Sequence, residues 1–359
     1  MSEQPCDIGD ADGVAMAFLE KGTKVTPLPF RQPALGDKQI RIRVTHAGLC
    51  MSDLLTSTGQ WGEPYLPLVP GHEIVGIVEK VGEKVSHLHE GDKVGFGVYR
   101  DCCDMCSECR TGHENMCAGK SYTYDPYSYG GYATSFQSRG DFFFKLDDSF
   151  PGYAAPLFCA GTTVYNPLLQ YAKPSMKVGI VGIGGLGHVA IKFANKFGCE
   201  VTAISTTPGK EQEAKSMGAH HFINSKDPEA LKKHANSLDM ILDTCTAVNL
   251  EQDFSLVRPR GHVALVGAPN VEHDCKLNIT QILMRQQELH GSEVGPRIVI
   301  ENMLEFVKIH NIIPDVDIYP FADTQSAVNS LFSGSPKWPR YRNVIETKDF
   351  FNTFTPRSN

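Results

Sequence analysis

Apolar and polar residues alternate over 38–45, with Ile40, Ile42 and Val44 on one side, the period-two pattern of a half-buried strand. Residues 74–81 and 93–98 predict two further short strands, punctuated by Gly82 and by Gly91-Asp92. The aromatic, glycine-containing stretch 122–132 predicts an irregular loop. Beyond Cys159 the pattern changes. Residues 177–182 form a short apolar strand, 186–197 have helical spacing, and 200–205 read as a strand again. Later strands are predicted at 240–244 and 263–266, with helical segments such as 211–217 between them. Strands alternating with helices mean a parallel sheet. A helix over 299–310, a two-proline surface loop over 333–339 and a strand over 342–345 complete the pattern. The reading is α/β with two domains. A β-rich one is built from both ends, 1–158 and 297–359, and an α/β one, 159–296, is inserted between them.

A length of 359 residues suits two domains, and 41% hydrophobic residues suffice for substantial cores. The 34 basic and 41 acidic residues are well mixed and sum to −7, which argues against a nucleic-acid surface. No apolar run approaches transmembrane length, so no membrane partner is expected. Residues 1–10 show neither the basic start nor the apolar run of a signal peptide. Eleven cysteines without a secretory signal point to a reducing compartment, hence a cytoplasmic protein.

Four of those cysteines, Cys103, Cys106, Cys109 and Cys117, follow a C-x2-C-x2-C-x7-C spacing. Two-residue gaps let a tight turn point sulfurs at a common centre, and the longer arm folds back with the fourth. Four thiolates in a closed tetrahedron suit a structural zinc in a lobe over 103–117. The alternative is a pair of disulfides, which such close spacing disfavours. Cys102 is a spare thiol beside the lobe.

Gly182, Gly184 and Gly187 form G-x-G-x-x-G between a predicted strand and a predicted helix, the context a dinucleotide loop requires. Gly182 permits the turn, Gly184 lets pyrophosphate approach the backbone, and Gly187 lets the helix pack close; Gly185 and Leu186 complete the loop. The next strand ends at Ser205, followed by Thr206, Thr207 and Lys210, where an NAD site usually carries an acid. Hydroxyls and a cation suit a 2′-phosphate, so NADP(H) is expected; the plain alternative is a polar turn.

Gly48-Leu49-Cys50-Met51-Ser52-Asp53, Pro70-Gly71-His72-Glu73 and Cys159 in Phe158-Cys159-Ala160-Gly161-Thr162-Thr163 hold a thiolate, an imidazole and a second thiolate that could ligate zinc. Their separation along the chain leaves convergence open, and a lone Cys in apolar context is more often buried and inert.

Together with Trp61-Gly62, 70–76, the four-cysteine lobe, Gly130-Gly131-Tyr132, 182–188, 238–244, Gly291-Ser292 and 340–344, these segments resemble the zinc-dependent medium-chain alcohol dehydrogenases, the cinnamyl alcohol dehydrogenase group in particular. The resemblance spans nearly the whole chain. It implies a GroES-like β-rich catalytic domain plus a doubly wound Rossmann cofactor domain, two zinc ions per subunit and NADP(H). It implies Cys50, His72 and Cys159 as ligands of a catalytic zinc, with Glu73 behind the metal as a transient ligand. Asp53 would orient His72, Arg342 would lie near Glu73 and the cofactor pyrophosphate, and Ser52 would relay the alcohol proton. For Asp53 and Arg342 a structural ion pair is the plain alternative. The chain departs from its relatives at Met51 and Leu55, where histidines are usual and neither residue can carry a proton.

The activity implied is zinc-assisted hydride transfer between NADP(H) and a primary alcohol or aldehyde. Trp61, Tyr99 and the 122–132 aromatics suit an aromatic or medium-chain aliphatic substrate. Reduction of C=N or activated C=C bonds is the alternative, and a non-catalytic NADPH-binding role is a third. Relatives imply a homodimer through the edge strand at 290–294. His188 is expected at the cofactor or as a packing cap rather than as a catalytic residue, His46 as a packed or surface histidine rather than a ligand, and Cys199, Cys245 and Cys275 as core thiols.

Overall fold

The computed structural model describes residues 11, 13–123, 125, 128–267, 275–331 and 341–348. These form two compact units: one comprises residues up to Cys159 and from Asp315 on, the other Ala160–Pro314. The first starts with an antiparallel pair, β1 (Gly13–Phe18) and β2 (Val25–Phe30). β3 (Gln39–Leu49) follows, and Ile40, Ile42 and Val44 are fully buried along it. Its alternation was readable, yet the strand runs on to Leu49 and so delivers Cys50 to the next element, helix α1 (Met51–Ser57). β4 (Ile74–Val81) and β5 (Lys93–Phe96) come next; β5 stops two residues short of the expected end. β6 (Tyr99–Asp101) and β7 (Ser121–Tyr122) pair as a ribbon around helix α2 (Ser107–Arg110), and β8 (Ser135–Arg139) and β9 (Phe143–Lys145) close this run. A 3-10 stretch, Gly152–Phe158, ends on Cys159.

The second unit opens with helix α3 (Ala160–Tyr171) and then alternates. Its strands are β10 (Lys177–Val181), β11 (Glu200–Ser205), β12 (His221–Asn224), β13 (Leu238–Asp243), β14 (Val257–Leu265) and β15 (Glu288–Gly291). Its further helices are α4 (Gly187–Lys196), α5 (Glu211–Ser216), α6 (Pro228–Lys233), α7 (Leu250–Leu256), α8 (Ile279–Arg285) and α9 (Arg297–His310). The strand order is β12-β11-β10-β13-β14-β15, every pair parallel. The order reverses between β11-β10 and β13, which makes this a doubly wound sheet with its ligand crevice at that switch point.

Helix α9 corrects the expected domain boundary at 296. Phe306 stacks on Phe197 at 4.8 Å and tilts against Tyr165 of α3 at 5.5 Å. That aromatic cluster ties the helix to the α/β unit, which ends at Pro314. The chain then returns to the first unit with β16 (Val316–Pro320), helix α10 (Thr324–Ser330) and β17 (Arg342–Glu346). Its main sheet runs β16-β17-β3-β4-β5-β9, with β8 also paired to β3. The loop expected at 333–339 lies outside the described residues. Among the described residues no helix is long and apolar enough to cross a membrane.

Candidate active site and metal centres

Three elements of the first unit meet around one buried point. β3 ends where Cys50 begins α1, the segment before β4 brings His72 and Glu73, and the 3-10 stretch ends on Cys159. The Cys50 and Cys159 sulfurs, a ring nitrogen of His72 and a carboxylate oxygen of Glu73 lie within 4.8 Å of one another, all four residues buried. The sequence-distant residues thus converge, with Glu73 among them.

Asp53 organises this cluster. It is fully buried and accepts four hydrogen bonds: from the Cys50 amide at 2.9 Å, the Gly71 amide at 3.1 Å, His72 Nδ1 at 3.2 Å and the Tyr132 hydroxyl at 3.0 Å. With Nδ1 donating to the carboxylate, Nε2 of His72 faces the sulfurs, and a metal bound there would take the place of its proton. Burial alone would lower His72, but the Asp53 charge and hydrogen bond, then Cys50, carry it up to about 10. Tyr132 is the functional residue that sequence reasoning left without a role. Its Gly-Gly-Tyr context was visible, but nothing in the sequence says that its hydroxyl reaches a carboxylate 79 residues away.

Glu73 is held from one side only. Arg342 on β17 hydrogen-bonds its Oε1, while Oε2 is buried with no hydrogen-bond partner among the described residues. A buried carboxylate oxygen without a donor is costly, and a metal among the four donors would satisfy it. A Cβ at Gly48 would stand 2.0 Å from this Oε2, so only glycine leaves the carboxylate room. Burial pushes Glu73 up to about 7 against the pull of Arg342. Arg342 also reaches the Cys50 sulfur at 3.8 Å. The hydrogen bond with Cys159 is the first influence that holds Cys50 well below the ordinary thiol range; burial opposes it, and Arg342 and His72 add to it. A thiolate is the ligand form of cysteine, and two thiolates with an imidazole form the donor set of a catalytic zinc. The residues present fit that ion.

Ser52 sits half-buried in the first turn of α1, its Oγ 3.4 Å from the Cys50 sulfur. Met51 beside it is exposed and Leu55 half-buried. Trp61 is 38% exposed, whereas Tyr99 is buried against Tyr122 and under Lys120 beside the four-cysteine lobe, so it offers no ring to a ligand there.

In that lobe the sulfurs of Cys103, Cys106, Cys109 and Cys117 also lie within 4.8 Å of one another. Backbone amides point at them: Cys106 N to Cys103 at 3.4 Å, Cys109 N to Cys106 at 3.5 Å and Gly119 N to Cys117 at 3.3 Å. Amide donors from Met105 and Cys106 bring Cys103 down to about 6. Cys102 instead donates to Asp104 at 3.1 Å, outside the set. The ten described cysteines form no disulfide, so the disulfide alternative has no support.

In the second unit the glycine loop joins β10 to α4. Gly182 has φ +85°, a Cβ at Gly184 would meet nothing within 4 Å, and one at Gly187 would stand 1.8 Å from the Gly182 carbonyl. The turn, the open approach and the close helix packing therefore each fall on the expected glycine, and the cradle fits a dinucleotide. Gly185 and Leu186 are half-buried within it. His188 braces the loop, its Nδ1 3.0 Å from the Gly184 carbonyl. Thr244, not singled out from sequence, donates to the Val181 carbonyl at 2.8 Å and the Gly182 carbonyl at 3.1 Å. Ser205 ends β11 and accepts from the Thr207 amide at 3.2 Å; Thr206 and Thr207 are exposed. Lys210 donates to the Ile183 carbonyl at 2.6 Å, which brings its charge back over the loop. Arg342, expected near both Glu73 and the pyrophosphate, belongs to the other unit and is engaged with Glu73 and Cys50.

The remaining singled-out residues have structural partners. His46 faces Glu346 at 3.4 Å. Cys199 is buried as expected and Cys245, half-buried, packs against the core of the second unit, whereas Cys275 is exposed and is no core thiol.

Two protein families match this chain: the one described as alcohol dehydrogenase GroES-like domain over residues 36–148 and the one described as zinc-binding dehydrogenase over 185–308. An aldehyde reductase from Synechocystis is 38% identical over 337 residues, covering 92% of this chain and 98% of that protein. Among solved structures, a cinnamyl alcohol dehydrogenase from Sorghum bicolor superposes with a TM-score of 0.88 at 35% identity, covering 93% of this chain and 97% of the other. CAD from Helicobacter pylori, solved in complex with NADP(H), gives 0.86 at 32% identity, covering 94% and 98%.

Proposed function

Since the chain belongs to the zinc-dependent medium-chain alcohol dehydrogenases, in the cinnamyl alcohol dehydrogenase group, we propose that it is an NADP(H)-dependent enzyme interconverting primary alcohols and aldehydes, aromatic or medium-chain aliphatic ones. The observation that carries this reading is the buried set Cys50, His72, Glu73 and Cys159, with one carboxylate oxygen left for a metal. When bound there, zinc supplies Lewis acidity toward a substrate oxygen and NADP(H) supplies the hydride chemistry.

The chain's own residues do the rest. Asp53 holds the His72 ring through Nδ1 and ties α1 to the Gly71 turn, so Cys50 and His72 keep a fixed spacing. Tyr132 donates to Asp53 and, buried itself, shuts water out behind the carboxylate. Arg342 retains Glu73 beside the ligands and neutralises it. Ser52 Oγ, adjacent to Cys50, takes the proton of a substrate hydroxyl or returns it to an aldehyde oxygen. Met51 and Leu55 offer no further carrier, so Ser52 would hand its own proton on to water. The Gly182–Gly187 loop, with Gly185 and Leu186, receives the pyrophosphate at the start of α4. Ser205, Thr206, Thr207 and Lys210 receive the 2′-phosphate, and no carboxylate stands at the end of β11 to repel it.

Cys103, Cys106, Cys109 and Cys117 hold a second zinc in each subunit, a structural one. The open edge of β15 suits a homodimer through 290–294. Ten described thiols without a disulfide suit the cytoplasm. One assay tests the central reading: purified protein with NADPH or NADH and a panel of aldehydes, followed with and without a strong chelator. Aldehyde reduction that prefers NADPH and is lost on chelation is expected. Chelator-insensitive turnover of an enone or imine, or cofactor binding with no turnover, overturns it.

A further inference from the structure

In the second unit, the last two strands of the parallel sheet carry a third cluster of ligating side chains. His262 lies on β14; Glu288 and His290 lie on β15. The register sets His262 opposite Glu288 and Ala264 opposite His290. Residues two apart on a strand share a face, and directly paired residues are neighbours on it, so the three side chains meet on one side of the sheet. Their donor atoms form a near-equilateral triangle. His262 Nδ1 is 3.2 Å from His290 Nε2, His290 Nε2 is 3.2 Å from Glu288 Oε2, and His262 Nδ1 is 3.5 Å from that same oxygen.

Those edges match one face of a zinc tetrahedron. Zinc holds imidazole nitrogen at about 2.0–2.1 Å and carboxylate oxygen at about 2.0–2.2 Å, so neighbouring ligand atoms stand roughly 3.3–3.5 Å apart. The rings are also held in place. Tyr171, the last residue of α3, stacks on His290 at 4.0 Å and 21°, and faces His262 at 5.7 Å and 26°. The side chains of His262 and His290 are 21% and 16% exposed and that of Glu288 is 55% exposed, so the triangle is shielded yet reachable from solvent. Two imidazoles and one carboxylate supply nitrogen and oxygen but no sulfur, a set suited to zinc among the borderline divalent ions.

We propose that His262, Glu288 and His290 form a third metal site, a zinc site with its fourth position open to water, which clips the edge strand β15 to β14. The site uses a face of the sheet and leaves the edge amides and carbonyls of β15 free for the proposed dimer. It stands apart from the catalytic reading, since none of its residues belongs to the two cysteine-containing sets.

Zinc content measured on the intact protein equilibrated in a zinc buffer tests it. Wild type is expected to hold one zinc per chain more than His290→Ala or His262→Ala, and Glu288→Gln to bind that ion at least tenfold more weakly. Aldehyde reduction by all three variants is expected to stay at the wild-type level. Co2+ titrated into wild type that keeps its two cysteine-bound zinc ions, with the third site emptied by dialysis against zinc-free buffer, gives a second readout that does not depend on any variant. Visible d–d absorption without a sulfur-to-cobalt charge-transfer band is expected, because no thiolate is present. Equal zinc content in wild type and the histidine variants overturns the proposal. So does a cobalt spectrum that carries only the thiolate band, or one that shows no new absorption.

Discussion

The four-cysteine lobe and the buried Cys50 cluster lie in the same unit and gather their donors within the same 4.8 Å, but they are built in opposite ways. The lobe takes four identical donors from fifteen consecutive residues, 103–117, and leaves Cys103 exposed. Its sulfurs are supported by amides of their own turns. The other cluster takes three kinds of donor from residues 50 to 159 and buries all of them. Its support comes from distant side chains: Asp53 behind His72, Arg342 behind Glu73. A closed set of thiolates made by a local turn suits structure; a mixed set assembled by a whole sheet suits chemistry. The comparison predicts that damage to one cluster is read as lost activity and damage to the other as lost stability.

The largest effect should follow Cys159→Ser. Removing one buried ligand should lower kcat/KM for aldehyde by on the order of a thousandfold, since the metal contributes several kcal/mol at the reacting oxygen. The melting temperature should change much less. Steady-state kinetics beside calorimetry check this, and a variant that loses its fold before its activity would break the contrast. Cys106→Ser should do the reverse. Loss of a structural metal belongs to the group of changes costing about 4 kcal/mol or more, so the melting temperature should fall by roughly 10 °C. The activity of molecules still folded should stay near wild type. Zinc content per chain should fall by one in each variant.

A smaller effect should follow Asp53→Asn. The amide cannot accept from all four donors, and its NH2 faces the Tyr132 hydroxyl or the Cys50 amide. Replacing such an orienting carboxylate typically costs 10–100-fold in metal affinity or activity. Equilibrium dialysis against a zinc buffer measures it. An unchanged affinity would mean that Asp53 serves only the fold.

The same contrast explains what could be read in advance. The lobe was legible because its ligands are local and spacing alone constrains them. The glycine loop was legible for the same reason, and so was the face of Ile40, Ile42 and Val44. The convergence of Cys50, His72 and Cys159 was not in the spacing; it came with the family resemblance, and only β3, β4 and the 3-10 stretch bring those residues together. Tyr132 escaped notice because its partner is a tertiary one. Strand β12 gave no signal, since of His221, Phe222, Ile223 and Asn224 only Ile223 is buried at that sheet edge. Cys275 misled because a thiol in a mixed segment says nothing of depth.

The contrast between supported and unsupported groups recurs in carboxylates, and there the smallest effect is expected. Asp53 has four donors, whereas in the second unit both oxygens of buried Asp253, and Oδ2 of Asp243, have no hydrogen-bond donor among the described residues. Asp243 Oδ1 accepts from the Cys245 amide at 2.8 Å. Burial first, then the Asp243 charge, holds Asp253 well above the ordinary carboxyl range. The folded chain therefore keeps a proton that the unfolded chain releases near pH 4. Stability is then fully present below that pH and declines as pH rises toward the raised value, because the native state binds more protons across the window. Asp253→Asn needs no such proton, and its amide can donate to Asp243. The variant should lose the downward slope and gain slightly in urea midpoint at neutral pH, while keeping the wild-type midpoint in acid. Urea midpoints measured from about pH 4 to about pH 8 decide it, and parallel curves for the two proteins would show that this pair, unlike Asp53, finds its support elsewhere.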